Sequence, residues 1–211
     1  MTGYLEAKQV AASADGELLL APVSAQIIPG QVLAVLGQNG SGKTTLLRIL
    51  AGLLHPTSGT VLIGNRRLDA RREDTRRAIS SLIRLPAFAT DLTVREQLRF
   101  IATTWGMVGA VADERADHAL HQWGISTLSH RYSHELSSGQ TQLFALSAAF
   151  IRPFEVLILD EPEQRLDDNR LGLVIAAIRD AKTNGAAVII ATHSVRLADS
   201  VADTRLTLGE L

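Results

Sequence analysis

The run GQNGSGKTT, Gly37 to Thr45, stands between an apolar segment, VLAVLG, and a helical pattern, TTLLRILAGLL. A strand, a glycine-rich turn and a helix in that order form an α/β unit that offers a helix N-terminus to an anion. The spacing G-x-x-x-x-G-K-[ST] is met by Gly37, Gly42, Lys43 and Thr44. Gly37, Gly40 and Gly42 let the backbone turn tightly and leave its N–H groups open to phosphate oxygens. Gln38, Asn39, Ser41 and Thr45 complete the cradle. Lys43 reaches the β- and γ-phosphates of a nucleotide as a point charge, and Thr44 offers its hydroxyl to Mg²⁺.

With 211 residues the chain makes one large domain, or one domain with a sub-domain. Hydrophobic residues at 46% and charged ones at 20% give a globular composition with enough apolar surface for a core. A formal charge of −1 gives no electrostatic case for nucleic acid as a partner. Cysteine is absent, which excludes a disulfide framework and a thiolate metal site and suits a reducing compartment. Glu6 and Lys8 interrupt the segment where a signal peptide needs apolar residues, and no apolar run approaches about 18 residues, so neither a membrane span nor a secretory address is expected.

Strand patterns YLEAKQVAAS and ELLLAPVSAQI flank a turn at Asp15-Gly16, and GTVLIGN returns as a strand after the helix that follows the phosphate loop. Residues 85–135 differ: VREQLRFIATTWGM and VADERADHALHQWGI repeat apolar residues at helical spacing, which predicts an inserted helical sub-domain. Beyond it SSGQTQLFALSAAFI (helix), EVLILD (strand), NRLGLVIAAIRDAKTNG (helix) and AAVIIATH (strand) alternate. That alternation predicts a largely parallel sheet covered on both faces, built from residues 1–84 and 136–211. EVLILDEP sets Asp160 and Glu161 at the C-terminal end of a buried strand, where open α/β sheets bind ligands. Asp160 is placed to hold Mg²⁺, and Glu161 to polarise an attacking water.

Together with the phosphate loop, LSSGQ (Leu136 to Gln140), LILDEP and ATHS resemble, in order and spacing along nearly the whole chain, the nucleotide-binding subunits of ATP-binding-cassette (ABC) transporters. The resemblance implies a RecA-like P-loop NTPase core with an antiparallel N-terminal β-layer and an inserted helical sub-domain, hydrolysing ATP with Mg²⁺. It assigns catalysis to Glu161, His193 and Lys43, and the metal to Thr44 and Asp160. LSSGQ is similar to the family's signature, with Ser138 in place of a common glycine. Ser137, Ser138, Gly139 and Gln140 would then meet the γ-phosphate bound by an opposite protomer, in a homodimer or a heterodimer with a related ATPase subunit. An integral membrane permease is the further partner implied, with the chain cytoplasmic and peripheral on the inner face of the cell membrane. The brevity of the chain, which runs about 18 residues past His193, and TVREQLRFIATTWGM resemble short exporter-type subunits, including haem-exporter-like ones. A soluble non-transport cassette ATPase is the alternative, although the tandem cassettes, coiled-coil arms and basic segments usual there are missing. A regulatory nucleotide-binding module with weak turnover is another.

Arg84 motivates that last reading. It falls where the family has a glutamine that touches Mg²⁺ and the attacking water, and a guanidinium has no acceptor with which to ligate a cation. Either Arg84 contacts phosphate oxygens, or it swings away, or a neighbour takes the role. The region SADGE, Ser13 to Glu17, lacks the aromatic on which many family members stack adenine, and Tyr4 lies about ten residues too early. In EQRLD, Glu163 to Asp167, the family's interface loop, Asp167 matches the usual acid while Gln164 and Arg165 replace smaller residues. The arginines from Arg66 to Arg77 are interleaved with Asp69, Glu73 and Asp74 and read as a solvated face. His118 and His121 lack carboxylate or cysteine company for a metal, and Trp105 and Trp123 read as packing residues of the sub-domain.

Overall fold

The computed structural model describes residues 5–209, so Tyr4 lies outside the described residues. Strands Leu5–Ala14 (β1) and Glu17–Ile27 (β2) pair antiparallel around Asp15 and Gly16. Both turn residues have positive φ, 51° and 82°, the geometry that an Asp-Gly pair supplies to a two-residue hairpin. Val32–Leu36 (β3) then leads through the phosphate loop into Lys43–Leu50 (α1). Ser58–Ile63 (β4) and Arg66–Arg67 (β5) return to the first sheet, whose order is β2-β1-β4-β5. Glu73–Ala78 (α2) and Ile79–Leu82 (β6) follow. The arginines around α2 are tied locally, Arg66 and Arg72 to Asp74 at 2.7 and 3.0 Å and Arg77 to Glu73 at 2.9 Å, all of them exposed.

After the helices Val94–Thr104 (α3), Ala110–Gln122 (α4) and Ser138–Ile151 (α5), the chain re-enters the parallel sheet as Val156–Asp160 (β7). Asp168–Thr183 (α6), Ala187–Ala191 (β8), Val195–Val201 (α7) and Thr204–Thr207 (β9) complete it. The second sheet has the order β6-β7-β8-β3-β9, and every pairing in it is parallel. β8 is buried along its whole length and β7 up to its last residue, as a sheet covered on both faces requires. One apolar core joins both sheets to α1, which contributes Leu46, Leu47, Ile49 and Leu50. Each of those side chains contributes about 2 kcal/mol on burial, so α1 is anchored independently of any ligand.

Two compact units make up the chain, and the helical one is wider than residues 85–135. It comprises Arg84–Pro153 and Gln164–Leu173, so α5 belongs with α3 and α4 rather than with the sheet. The reason is packing. Phe144 of α5 stacks on Phe88 at 4.2 Å, and Phe150 meets the buried Trp123 edge-on at 5.1 Å. Arg115 of α4 donates to the carbonyls of Phe150 and Ile151 at 3.1 and 3.0 Å, closing the negative end of α5. Trp105 carries the guanidinium of Arg152 3.6 Å from its ring centre, so both tryptophans pack within this unit. No helix among the described residues is long and apolar enough to cross a membrane.

Candidate active site

Strand register sets the site. β8 lies between β7 and β3, and both Asp160 of β7 and Val35 of β3 pair with Ala191. Three loops therefore leave the sheet at one level: the phosphate loop after β3, the acids after β7, and Thr192-His193-Ser194 after β8.

Gly42 caps α1 with φ of 90°, and a Cβ there would lie 2.7 Å from Leu19 O, so the turn demands glycine on both counts. Lys43 is buried, and its Nζ donates to the carbonyls of Gly37 and Gln38 at 2.8 Å each, which folds the loop around the ammonium. Thr44 Oγ1 donates to Asp160 Oδ2 at 2.6 Å, while Asp160 Oδ1 is buried without a hydrogen-bond partner. A hydroxyl and a carboxylate with an unsatisfied oxygen form the hard oxygen set that Mg²⁺ takes, so these residues fit that ion. Burial pushes the Asp160 carboxyl above the usual carboxylate range, and the charges of Glu161 and Glu163 add to the rise; the Thr44 hydrogen bond and Lys43 oppose it.

A carboxyl raised in the folded state loses stabilisation as pH rises through its folded pKa, so above that pKa the ionised Asp160 destabilises the metal-free fold. Above that pKa, Asp160→Asn is therefore expected to raise the metal-free melting temperature while abolishing Mg²⁺-dependent turnover. Calorimetric melts in chelator check it, and a lower melting temperature contradicts the reading of Asp160 as a charge held at the expense of stability.

Glu161 adopts a left-handed φ of 46°, uncommon for a residue with a side chain and a recurrent feature of functional sites. Its N–H is tied to Ala191 O at 2.8 Å, and its Oε1 lies 3.2 Å from His193 Nε2. Phosphate loop, acids and histidine thus share one unit, with Thr44 bonded to Asp160 and Glu161 beside His193.

LSSGQ opens α5 in the helical unit. Ser137 is its N-cap, accepting from Gln140 N at 3.4 Å, and Gln140 Oε1 accepts from Ser137 N at 2.8 Å. A Cβ on Gly139 would sit 2.8 Å from Arg165 O, so α5 and the loop before α6 need glycine to approach this closely. Asp167 accepts from Arg170 N at 2.9 Å in the first turn of α6. Arg84 is exposed and makes no hydrogen bond or ion pair with the described residues. Among the described residues no cluster of histidines and acids forms a metal site, His118 and His121 included.

Two polar residues escaped the sequence reading. Gln97 is buried and braces the loop before α3, accepting from Ala89 N and donating to Leu92 O at 2.9 Å each. Glu163 bonds to Thr192 and Ser194 in its own unit. Its signal was the third acid in DEPE and the hydroxyls on either side of His193.

The ABC transporter family model matches residues 20–164. The cytochrome c biogenesis ATP-binding export protein CcmA of Xanthomonas campestris pv. campestris (strain 8004) is 35% identical, over 97% of this chain and 93% of its own length. The Fe(3+) ions import ATP-binding protein FbpC of Brucella abortus (strain 2308) is 35% identical over 89% of this chain but 53% of its own. A solved ATP-binding subunit of an ABC transporter superposes with a TM-score of 0.87 at 26% identity, covering 97% of this chain and 85% of its own. The chain belongs to the ABC transporter family, as one of its ATP-binding cassettes. Its parallel sheet, antiparallel β-layer and helical unit make the RecA-like fold of that family's ATPases.

Proposed function

We propose that this chain is the ATP-hydrolysing subunit of an ABC transporter, working as a dimer and driving a separate membrane-spanning partner, of the export type. The observation that carries the reading is the contact of Glu161 with His193 at 3.2 Å, with Glu161 next in the chain to the Asp160 that Thr44 bonds. The 35% identity with the cytochrome c biogenesis ATP-binding export protein, over nearly the full length of both chains, supports the direction of transport.

Backbone N–H groups from Gly37 to Thr45 and the Lys43 ammonium bind and orient the triphosphate. Thr44 and Asp160 would hold Mg²⁺, whose charge would offset the negative charge of the triphosphate. Glu161 accepts a proton from the attacking water as its oxygen bonds to the γ-phosphorus and the bond to the β,γ-bridging oxygen breaks, leaving ADP and phosphate. His193 keeps Glu161 and that water in register. Ser137 and the first N–H groups of α5, contributed by the opposing subunit, stabilise the charge on the transferred group. Phosphate release reopens the dimer, and the partner uses that motion. Purification of the tagged chain from its native membranes is expected to bring down a polytopic membrane protein; recovery with ribosomes or DNA instead overturns the transport role.

The turn between β1 and β2 presents Asp15 and Glu17, both exposed, and no aromatic. Stacking on a ring is worth about 1 kcal/mol, so without it ATP and GTP are expected to bind within about tenfold of each other in competition titrations. A much larger preference for ATP contradicts the absence of a base platform.

A further inference from the structure

Glu163 ties the loop after β7 to the loop after β8. Its Oε1 accepts a hydrogen bond from the Thr192 hydroxyl and another from Ser194 N at 3.3 Å. Ser194 N also donates to Thr192 Oγ1 at 2.9 Å, so one carboxylate holds both neighbours of His193. Thr192 itself is buried, and its N–H reaches Val35 O at 3.3 Å, which fixes that end of the tether to the sheet. At the other end, Glu161 is bonded through its N–H to Ala191 O at 2.8 Å.

Stability alone does not account for a carboxylate here. Glu163 Oε2 is buried without a hydrogen-bond partner, an arrangement that costs free energy. Its charge also adds to the repulsion that raises the Asp160 carboxyl. What the side chain secures is the backbone from which His193 projects, because Thr192 and Ser194 cannot shift away from the loop after β7 without their bonds to Glu163 being broken or strained.

We infer that Glu163 is a positioning residue for ATP hydrolysis, holding His193 Nε2 against Glu161 through Thr192 and Ser194. The inference rests on Glu161 and His193 being the hydrolytic pair, and it assigns Glu163 no contact with the nucleotide.

The test is steady-state phosphate release by the full chain with ATP and Mg²⁺. Glu163→Ala is expected to lower kcat roughly tenfold or more, since a displacement of about 1 Å at a reacting group can cost as much as 10²-fold, and to leave KM for ATP unchanged. Glu163→Gln is expected to recover most of kcat, because its amide oxygen accepts the same two hydrogen bonds. In a His193→Ala background, Glu163→Ala is expected to add no further loss, the non-additivity of a residue that acts through another. Thr192→Val, nearly isosteric and lacking only the hydroxyl, serves as a second probe should Glu163→Ala not fold, with the same fall in kcat expected. A loss confined to KM, a Gln variant as impaired as the Ala variant, or an undiminished further loss in the His193→Ala background overturns the inference. If His193→Ala is impaired while Glu163→Ala and Thr192→Val keep full kcat, the tether alone is wrong. Full kcat in His193→Ala removes the hydrolytic pair and the tether with it.

Discussion

Glu161→Gln leaves ATP bound and brings turnover down by roughly 10²–10⁴-fold, the range over which a positioned general base acts. The amide fills the same volume and can still meet His193, whose nitrogen lies 3.2 Å from Glu161 Oε1. What it lacks is a basic oxygen for the proton of the attacking water. Binding draws on the phosphate loop, which the substitution does not touch, so affinity is expected to hold and the nucleotide-bound dimer to accumulate. Size-exclusion chromatography with ATP then shows a dimer that the wild type does not retain. Most of the wild-type rate surviving in this variant would falsify the role given to Glu161.

Lys43→Ala fails at an earlier step. The buried ammonium donates to Gly37 O and Gln38 O, and its removal strips the loop of both an internal brace and its one full positive charge. Hydrogen bonds to charged groups are worth about 1.5–3 kcal/mol, so the Kd for MgATP is expected to rise roughly 10- to 100-fold. Titration calorimetry reads the affinity, and circular dichroism confirms that the variant stays folded. Wild-type affinity in a folded Lys43→Ala protein contradicts the placement of this loop at the triphosphate.

Legibility followed locality. The phosphate loop is nine consecutive residues whose spacing alone carries its chemistry, and β7 and β8 announce themselves as apolar runs ending in DE and TH. The family's parts were therefore readable before any fold was known. The boundary of the helical unit was not. α5 is buried on nearly every side, from Gly139 to Ile151, so it has no single apolar stripe to reveal which neighbours it packs against. Its contacts with Phe88, Trp123 and Arg115 tie it to the helical unit, and those residues are distant from it in sequence. The Glu163–Thr192 bond spans 29 residues and depends on the register of β7 against β8, which the pattern of apolar residues does not specify. Arg84, whose position in the sequence suggested a part in the site, has an exposed side chain.

The central claim is that each site is built from the phosphate loop of one chain and the α5 N-terminus of another, and mixing two inactive variants tests it most directly. Lys43→Ala disables the loop. Ser137→Asp keeps a good N-cap for α5 while setting a negative charge against the phosphate. In a head-to-tail pair of the two, one composite site carries both lesions and the other carries neither. The account predicts that each variant alone releases no phosphate from ATP and that the mixture does; a mixture as inactive as its components contradicts it.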